Sequence, residues 1–162
     1  QRSDGWTELQ PVNNIVGPEL SFARDVTKVI KAPIAIIKIA AGGTTIGADW
    51  NPDDPQGFKL YPIALETVRS ALAALDKKRI RWRLEGFMWH QGENDAGKKE
   101  TAETYAARLA KMVGDLRTDL NAGEVPFVAN HIDTAILVVI IVTSLPFPLE
   151  LLREWIIRKS QG

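Results

Sequence analysis

Apolar residues recur along the chain at two spacings, and each spacing predicts an element. Phe22, Val26, Val29 and Ile30 fall at helical intervals behind Gly17-Pro18-Glu19, as in a helix with one buried stripe. Proline suits the first helical position, and the adjoining acid favours the positive end of the helix dipole. Tyr61, Leu65, Val68, Leu72 and Leu75 repeat in the same way through Pro62 to Asp76. Tyr105, Leu109, Val113, Leu116 and Leu120 do so between Glu100 and Leu120. Among these helices stand short apolar runs without helical period: Ala32 to Ala40 (APIAIIKIA), Gly86 to Trp89, and Val125 to Asn130 (VPFVAN). The first is rich in isoleucine and stops at AGGTT, as a buried parallel strand before a tight turn does.

Helices of this length between short strands act as crossovers, so the pattern predicts an α/β fold. The expected form is a three-layer α/β/α sandwich around a mainly parallel sheet. In such sheets ligands bind beyond the carboxyl ends of the strands. Two unusual segments stand at those ends, GGTT after the first strand and HQGEND after the second. Both are expected on the same rim. A last apolar run, Ala135 to Val142 (AILVVIIV), is far shorter than the roughly 20 residues that span a bilayer. It reads as a buried strand or core helix, with an amphipathic helix to follow over Leu149 to Arg158.

Composition narrows the picture. A chain of 162 residues, 45% hydrophobic and 25% charged, suits one globular domain with a core of useful size. No repeat, low-complexity tract or linker divides it. Twenty basic and twenty acidic residues cancel, which argues against nucleic acid or an anionic membrane surface as partner. The lack of cysteine excludes a disulfide framework and thiolate zinc sites while fitting either redox compartment. The opening QRSDGWTELQ has neither a starting Met nor an apolar leader, and reads as a start in mid-chain.

The densest chemistry is GFMWHQGENDAG, Gly86 to Gly97. A metal reading would use His90 and Glu93, but that spacing aligns two ligands only on a helix, and Gly92 behind a strand argues for a turn; no metal is expected. A structural reading has Asn94 or Asp95 capping the following helix, with His90 a satisfied core group. A catalytic reading makes Gln91 a neutral donor to a developing oxyanion and lets Glu93 orient a histidine. Gly42 and Gly43 permit positive φ and could turn backbone N–H groups toward an anion, or simply form a strand-to-helix turn. GGTTIG has no P-loop lysine, and no G-x-G-x-x-G occurs.

Several blocks in order carry a resemblance: VGPELSFAR (16–24), IIKIAAGGTTIGADWNP (36–52), LYP (60–62) and GFMWHQGENDA (86–96), followed by YAARLAKMVGDLRTDL and VPFVAN. Together they resemble the carbohydrate esterases that include sialate O-acetylesterases and acetylxylan esterases, a branch of the SGNH hydrolase superfamily. The W-H-Q-G-E-x-D segment is the most specific element. The resemblance implies a serine esterase that removes acetyl groups from sugars without metal or cofactor, in an extracytoplasmic setting. It implies that a backbone N–H in the Gly42-Gly43 turn and the Gln91 amide hold the oxyanion, and that Glu93 is a partner of the catalytic histidine. His90, Asp95 and Thr44 would support the turn or line the pocket.

The family's nucleophile lies in an N-terminal Gly-Gln-Ser-Asn block and its histidine in a C-terminal Asp-x-x-His block. None of Ser3, Ser21, Ser70, Ser144 and Ser160 stands in the first, and His131 in NHID has the wrong order for the second. Residues 1–132 are therefore expected to be the central part of an esterase domain with an incomplete SGNH-like fold, and 133–162 a divergent tail. The expected partner is an acetylated carbohydrate, with neither nucleic acid nor membrane. The alternative is a noncatalytic sugar- or partner-binding module on the same scaffold, with Trp50 and Trp82 available to stack on a sugar ring.

Overall fold

The computed structural model describes residues 5–11, 17–129 and 138–143. Three long helices and four strands appear in the order α1 (Pro18–Val29), β1 (Ile34–Ile39), α2 (Leu60–Lys77), β2 (Arg83–Trp89), α3 (Glu93–Ala96), α4 (Lys99–Asp119), β3 (Phe127–Ala129) and β4 (Val138–Thr143). α1 opens with proline in its first turn, as the sequence predicts, and its Glu19 is buried against Lys38 of β1, Oε1 to Nζ 2.8 Å. Phe22 and Val26 are half-buried but Val29 is 64% exposed. The expected stripe is thus narrower by Val29, the last residue of α1, while Ile30 just beyond it is half-buried.

α2 buries all of Tyr61, Leu65, Val68, Leu72 and Leu75, and adds Leu60 and Ala64. Each large side chain removed from water on that face contributes about 1.5–3 kcal/mol. α4 buries Met112 and Leu116, while Tyr105, Leu109, Val113 and Leu120 pack half-buried around them. These two helices, β1 and β2 enclose one core, centred on Ile37, Trp50, Val68, Phe87 and Trp89.

The fold is α/β, but the sheet is not mainly parallel. Its order is β1-β4-β2-β3. β2 and β3 pair in parallel, Phe87 opposite Phe127. β4 lies between β1 and β2 and runs against both, Ile37 opposite Ile140 and Phe87 opposite Ile140. β1, β2 and β3 therefore still point the same way, and the departure comes from one inserted strand. Part of the apolar run 135–142 is that strand. The helix expected over 149–158 lies outside the described residues, as do Ser3, His131, Ser144 and Ser160. No helix among the described residues is long and apolar enough to cross a membrane.

Candidate active site at the strand ends

β1 and β2 end at the same rim, and the turns that leave them are joined by a buried polar clamp. Gln91, 4% exposed, donates its amide hydrogens to the Thr44 carbonyl (3.0 Å) and to Asp95 Oδ2 (2.5 Å). Asp95, 1% exposed, also receives the Ile46 N–H on both oxygens, at 3.3 and 3.1 Å. The segment after β1 is thereby held to the segment after β2 at two points, residues 44 and 46. A carboxylate this deeply buried is tolerated only because N–H donors surround it. Since both partners of the Gln91 nitrogen are acceptors, its orientation is fixed, and its Oε1 is buried without a hydrogen-bond partner among the described residues.

Further bonds fix the turns themselves. Gly43 adopts φ +74°, a left-handed conformation that glycine takes without strain, and a Cβ there would stand 3.8 Å from Asn94 Nδ2. Gly92 has φ +150°, and the Tyr105 ring lies 3.5 Å from where its Cβ would be. The Tyr105 hydroxyl donates to the Gln91 carbonyl (2.5 Å) and accepts the Trp89 indole N–H (2.9 Å), so α4 grips the turn after β2. Asp49, buried, performs the same service after β1. Its carboxylate accepts the Thr45 and Phe58 N–H groups, both at 2.9 Å, and its carbonyl accepts those of Leu60 and Tyr61 at the start of α2.

The structure thus brings Gly42, Gly43, Thr44, Gln91 and Asp95 together, with Gly42 and Gly43 exposed on the rim and Thr44, Gln91 and Asp95 beneath it. Thr44 supports rather than lines the surface: it is 1% exposed, and its hydroxyl accepts the Trp50 indole N–H at 3.3 Å. Glu93 is exposed beside them and accepts the Gly92 N–H at 3.0 Å. The capping reading of Asn94 and Asp95 does not hold. Asp95 lies inside the short α3 and turns inward, and α4 begins at Lys99 behind Lys98, with no side-chain cap. His90 is not the satisfied core group expected either, since its Nε2 is buried with no hydrogen-bond partner among the described residues. Trp50 is 2% exposed and unavailable to stack on a sugar, and Trp82 is half-buried with its indole N–H on Asp76 at 2.7 Å. Ser21 donates back to the Pro18 carbonyl (3.0 Å), and Ser70 is exposed on α2.

Tyr105 and Asp49 were not candidates from sequence. Tyr105 is indistinguishable there from a core position of α4. Asp49 had a usable signal, because an aspartate in ADWNPDDPQGF can bond backbone N–H groups of its own loop.

Two tyrosines give the domain an alkaline limit. Burial, then the bond to Asp119 Oδ2 (2.7 Å), raises the pKa of the Tyr61 hydroxyl. Burial also raises that of Tyr105, with the Asp95 and Glu93 charges adding to it against the opposing Trp89 bond. Both phenols hold their protons more tightly folded than unfolded. Their stabilisation is therefore complete below the ordinary phenol value near 10 and declines as pH rises through it. The urea midpoint is expected to fall as pH rises above about 10 toward the raised folded values, and a Tyr61→Phe, Tyr105→Phe double variant should flatten that fall.

Comparison with known proteins places these elements in context. A family model described as carbohydrate esterase, sialic acid-specific acetylesterase, matches residues 6–143. A probable carbohydrate esterase of Arabidopsis thaliana is 28% identical over 116 residues, covering 70% of this chain. The match spans only 40% of that relative's length. No solved structure matches the chain significantly.

Proposed function

The chain belongs to the carbohydrate esterase family of sialic acid-specific acetylesterases, and from that premise we propose that it carries the oxyanion side of a carbohydrate O-acetylesterase active site. The observation that carries this reading is the Gln91–Asp95 clamp, which sets the Gly42-Gly43 turn beside the Gln91-Gly92 turn. The surrounding architecture would be the three-layer sandwich of SGNH hydrolases. The substrate would be an acetyl ester on a sugar such as sialic acid or xylan.

In the proposed reaction a serine hydroxyl brought to the rim attacks the acetyl carbonyl, and a histidine oriented by Glu93 takes its proton. The carbonyl oxygen becomes an alkoxide, to which the Gly43 N–H and a Gln91 amide hydrogen donate. The hydrogen lent is the one now on the Thr44 carbonyl, because the bond to the Asp95 carboxylate is charge-assisted and the stronger of the two. Collapse expels the sugar hydroxyl with the proton from histidine, and water then releases acetate by the same path. Asp95 holds Gln91 in place and His90 stands beside it.

None of the chain's serines lies in a Gly-Gln-Ser-Asn block, so the chain by itself is expected to hydrolyse 4-nitrophenyl acetate no faster than its Gln91→Ala variant. Turnover clearly above that variant would overturn the assignment of the nucleophile to a segment other than this one.

A further inference from the structure

Trp50 and Trp82 offer no free ring to a sugar, but Phe58 does. It is 58% exposed, and no other aromatic side chain among the described residues is exposed. A single apolar side chain in water is ordinary; the backbone beneath this one is not. Gly57 has φ +56° and Lys59 φ +51°, so left-handed residues flank Phe58 on both sides. Lysine takes that conformation only under strain, which persists where the surroundings impose it. A Cβ on Gly57 would stand 2.5 Å from Asp49 Oδ1, and the same oxygen accepts the Phe58 N–H at 2.9 Å. The Lys59 N–H donates to the Gln56 carbonyl, and the Gln56 N–H to the Ala48 carbonyl, both at 3.0 Å. Leu60, two residues on, is buried. A braced loop therefore turns the ring outward.

The same carboxylate places the ring near the rim. Asp49 Oδ2 accepts the Thr45 N–H, so the Phe58 and Thr45 nitrogens lie one carboxylate apart. The Thr44 carbonyl, just before Thr45, receives the Gln91 amide. α2 is also the crossover from the carboxyl end of β1 to the start of β2, so its first turn, directly after Lys59, begins at the rim end of the domain. Polar residues adjoin Phe58 in the chain: Asp54, whose Oδ1 accepts the Gln56 amide at 2.6 Å, Gln56 itself, and Lys59, all exposed. An apolar protein partner docks on a contiguous patch of roughly several hundred Å², which one ring among polar groups does not supply. A pyranose suits it better, with C–H groups on one face and hydroxyls around the edge for carboxylate, amide and ammonium to bond.

We propose that Phe58 is the platform of a carbohydrate subsite beside the rim, where the apolar face of a pyranose stacks on the ring while Asp54, Gln56 and Lys59 meet its hydroxyls. In an esterase this subsite positions the sugar that bears the acetyl group. That role rests on the acetylesterase reading; the platform itself rests on the loop. Strain at Lys59 keeps the ring in place before a ligand arrives, so little ordering remains to oppose binding.

Chemical-shift titration of the isotope-labelled chain tests this, with methyl β-xyloside and methyl α-sialoside as probes, each with and without an O-acetyl group, through the millimolar range. The amides of Gly57, Phe58 and Lys59 should move with at least one sugar, and its acetylated form should also move the signals of the Gly43 N–H and the Gln91 side-chain amide. Phe58→Ala should weaken binding about three- to tenfold, and Phe58→Trp should keep or strengthen it. Phe58→Leu retains the apolar bulk without the flat ring and should bind as weakly as the alanine variant. The urea midpoints of all three should stay at the parent value, because the ring is exposed. Silence of residues 57–59 toward every probe overturns the proposal, and so does parent-like affinity in Phe58→Leu. Binding that depends on Phe58 while Gly43 and Gln91 ignore the acetyl group leaves the platform standing and counts against the esterase reading. An acetyl response at Gly43 and Gln91 that Phe58→Ala does not weaken sinks the platform and leaves that reading in place.

Discussion

Asp95→Ala is expected to remove about 3–5 kcal/mol of stability, a large part of the ~5–15 kcal/mol that holds a domain of this kind together. The side chain is 1% exposed and satisfies two buried donors, the Ile46 N–H and the Gln91 amide. Alanine leaves both without an acceptor in a place water does not readily reach, and each orphaned donor costs about 1–3 kcal/mol. A small void adds to this. Asp95→Asn separates charge from shape. Asparagine keeps one acceptor but turns its NH2 toward a group that also donates, so a loss of about 1–3 kcal/mol is expected. Urea unfolding of the two variants measures both losses. Midpoints within experimental error of the parent chain for both would mean that the clamp is not what joins the two turns.

The asymmetry between those variants also explains how much of the site could be read from sequence. Gly42, Gly43 and Gln91 follow apolar runs, and the rule that strand ends share a rim is enough to bring them together. Period and length likewise suffice for α2, whose stripe is buried position for position, and for the course of α4, whose stripe is mostly half-buried and misses the buried Met112. Sequence pattern does not say which polar residue points inward. Asp95 resembles a helix cap in GENDAG, and only its partner 49 positions away on the Ile46 backbone turns it into a buried clamp. Tyr105 is concealed in the same way, since its ring belongs to an amphipathic stripe and its hydroxyl to the site. Strand direction was equally hidden. An apolar run such as AILVVIIV fits a buried strand of either sense, and only its pairing register with β1 and β2 shows that it runs antiparallel.

Trp50→Ala should cost about 3–5 kcal/mol, the range for removing a large aromatic from a core, and should damage the site through packing alone. Trp50 is 2% exposed and meets Trp89 edge to face, ring centroids 4.9 Å apart. Such a pair contributes about 0.5–1.5 kcal/mol beyond the area it buries. Its indole N–H holds the Thr44 hydroxyl, and Trp89 in turn donates to the Tyr105 hydroxyl that bonds the Gln91 carbonyl. The ring therefore supports the turn after β1 through Thr44 and the turn after β2 through Trp89. Trp50→Phe keeps most of the volume and removes the N–H, so its smaller loss, about 1–2 kcal/mol, isolates the Thr44 bond from the packing. Far-ultraviolet circular dichroism, read in each variant against urea, provides the measurement. If Trp50→Ala unfolds at the parent midpoint, the core does not carry the two turns, and the rim must be held by the Asp95 clamp alone.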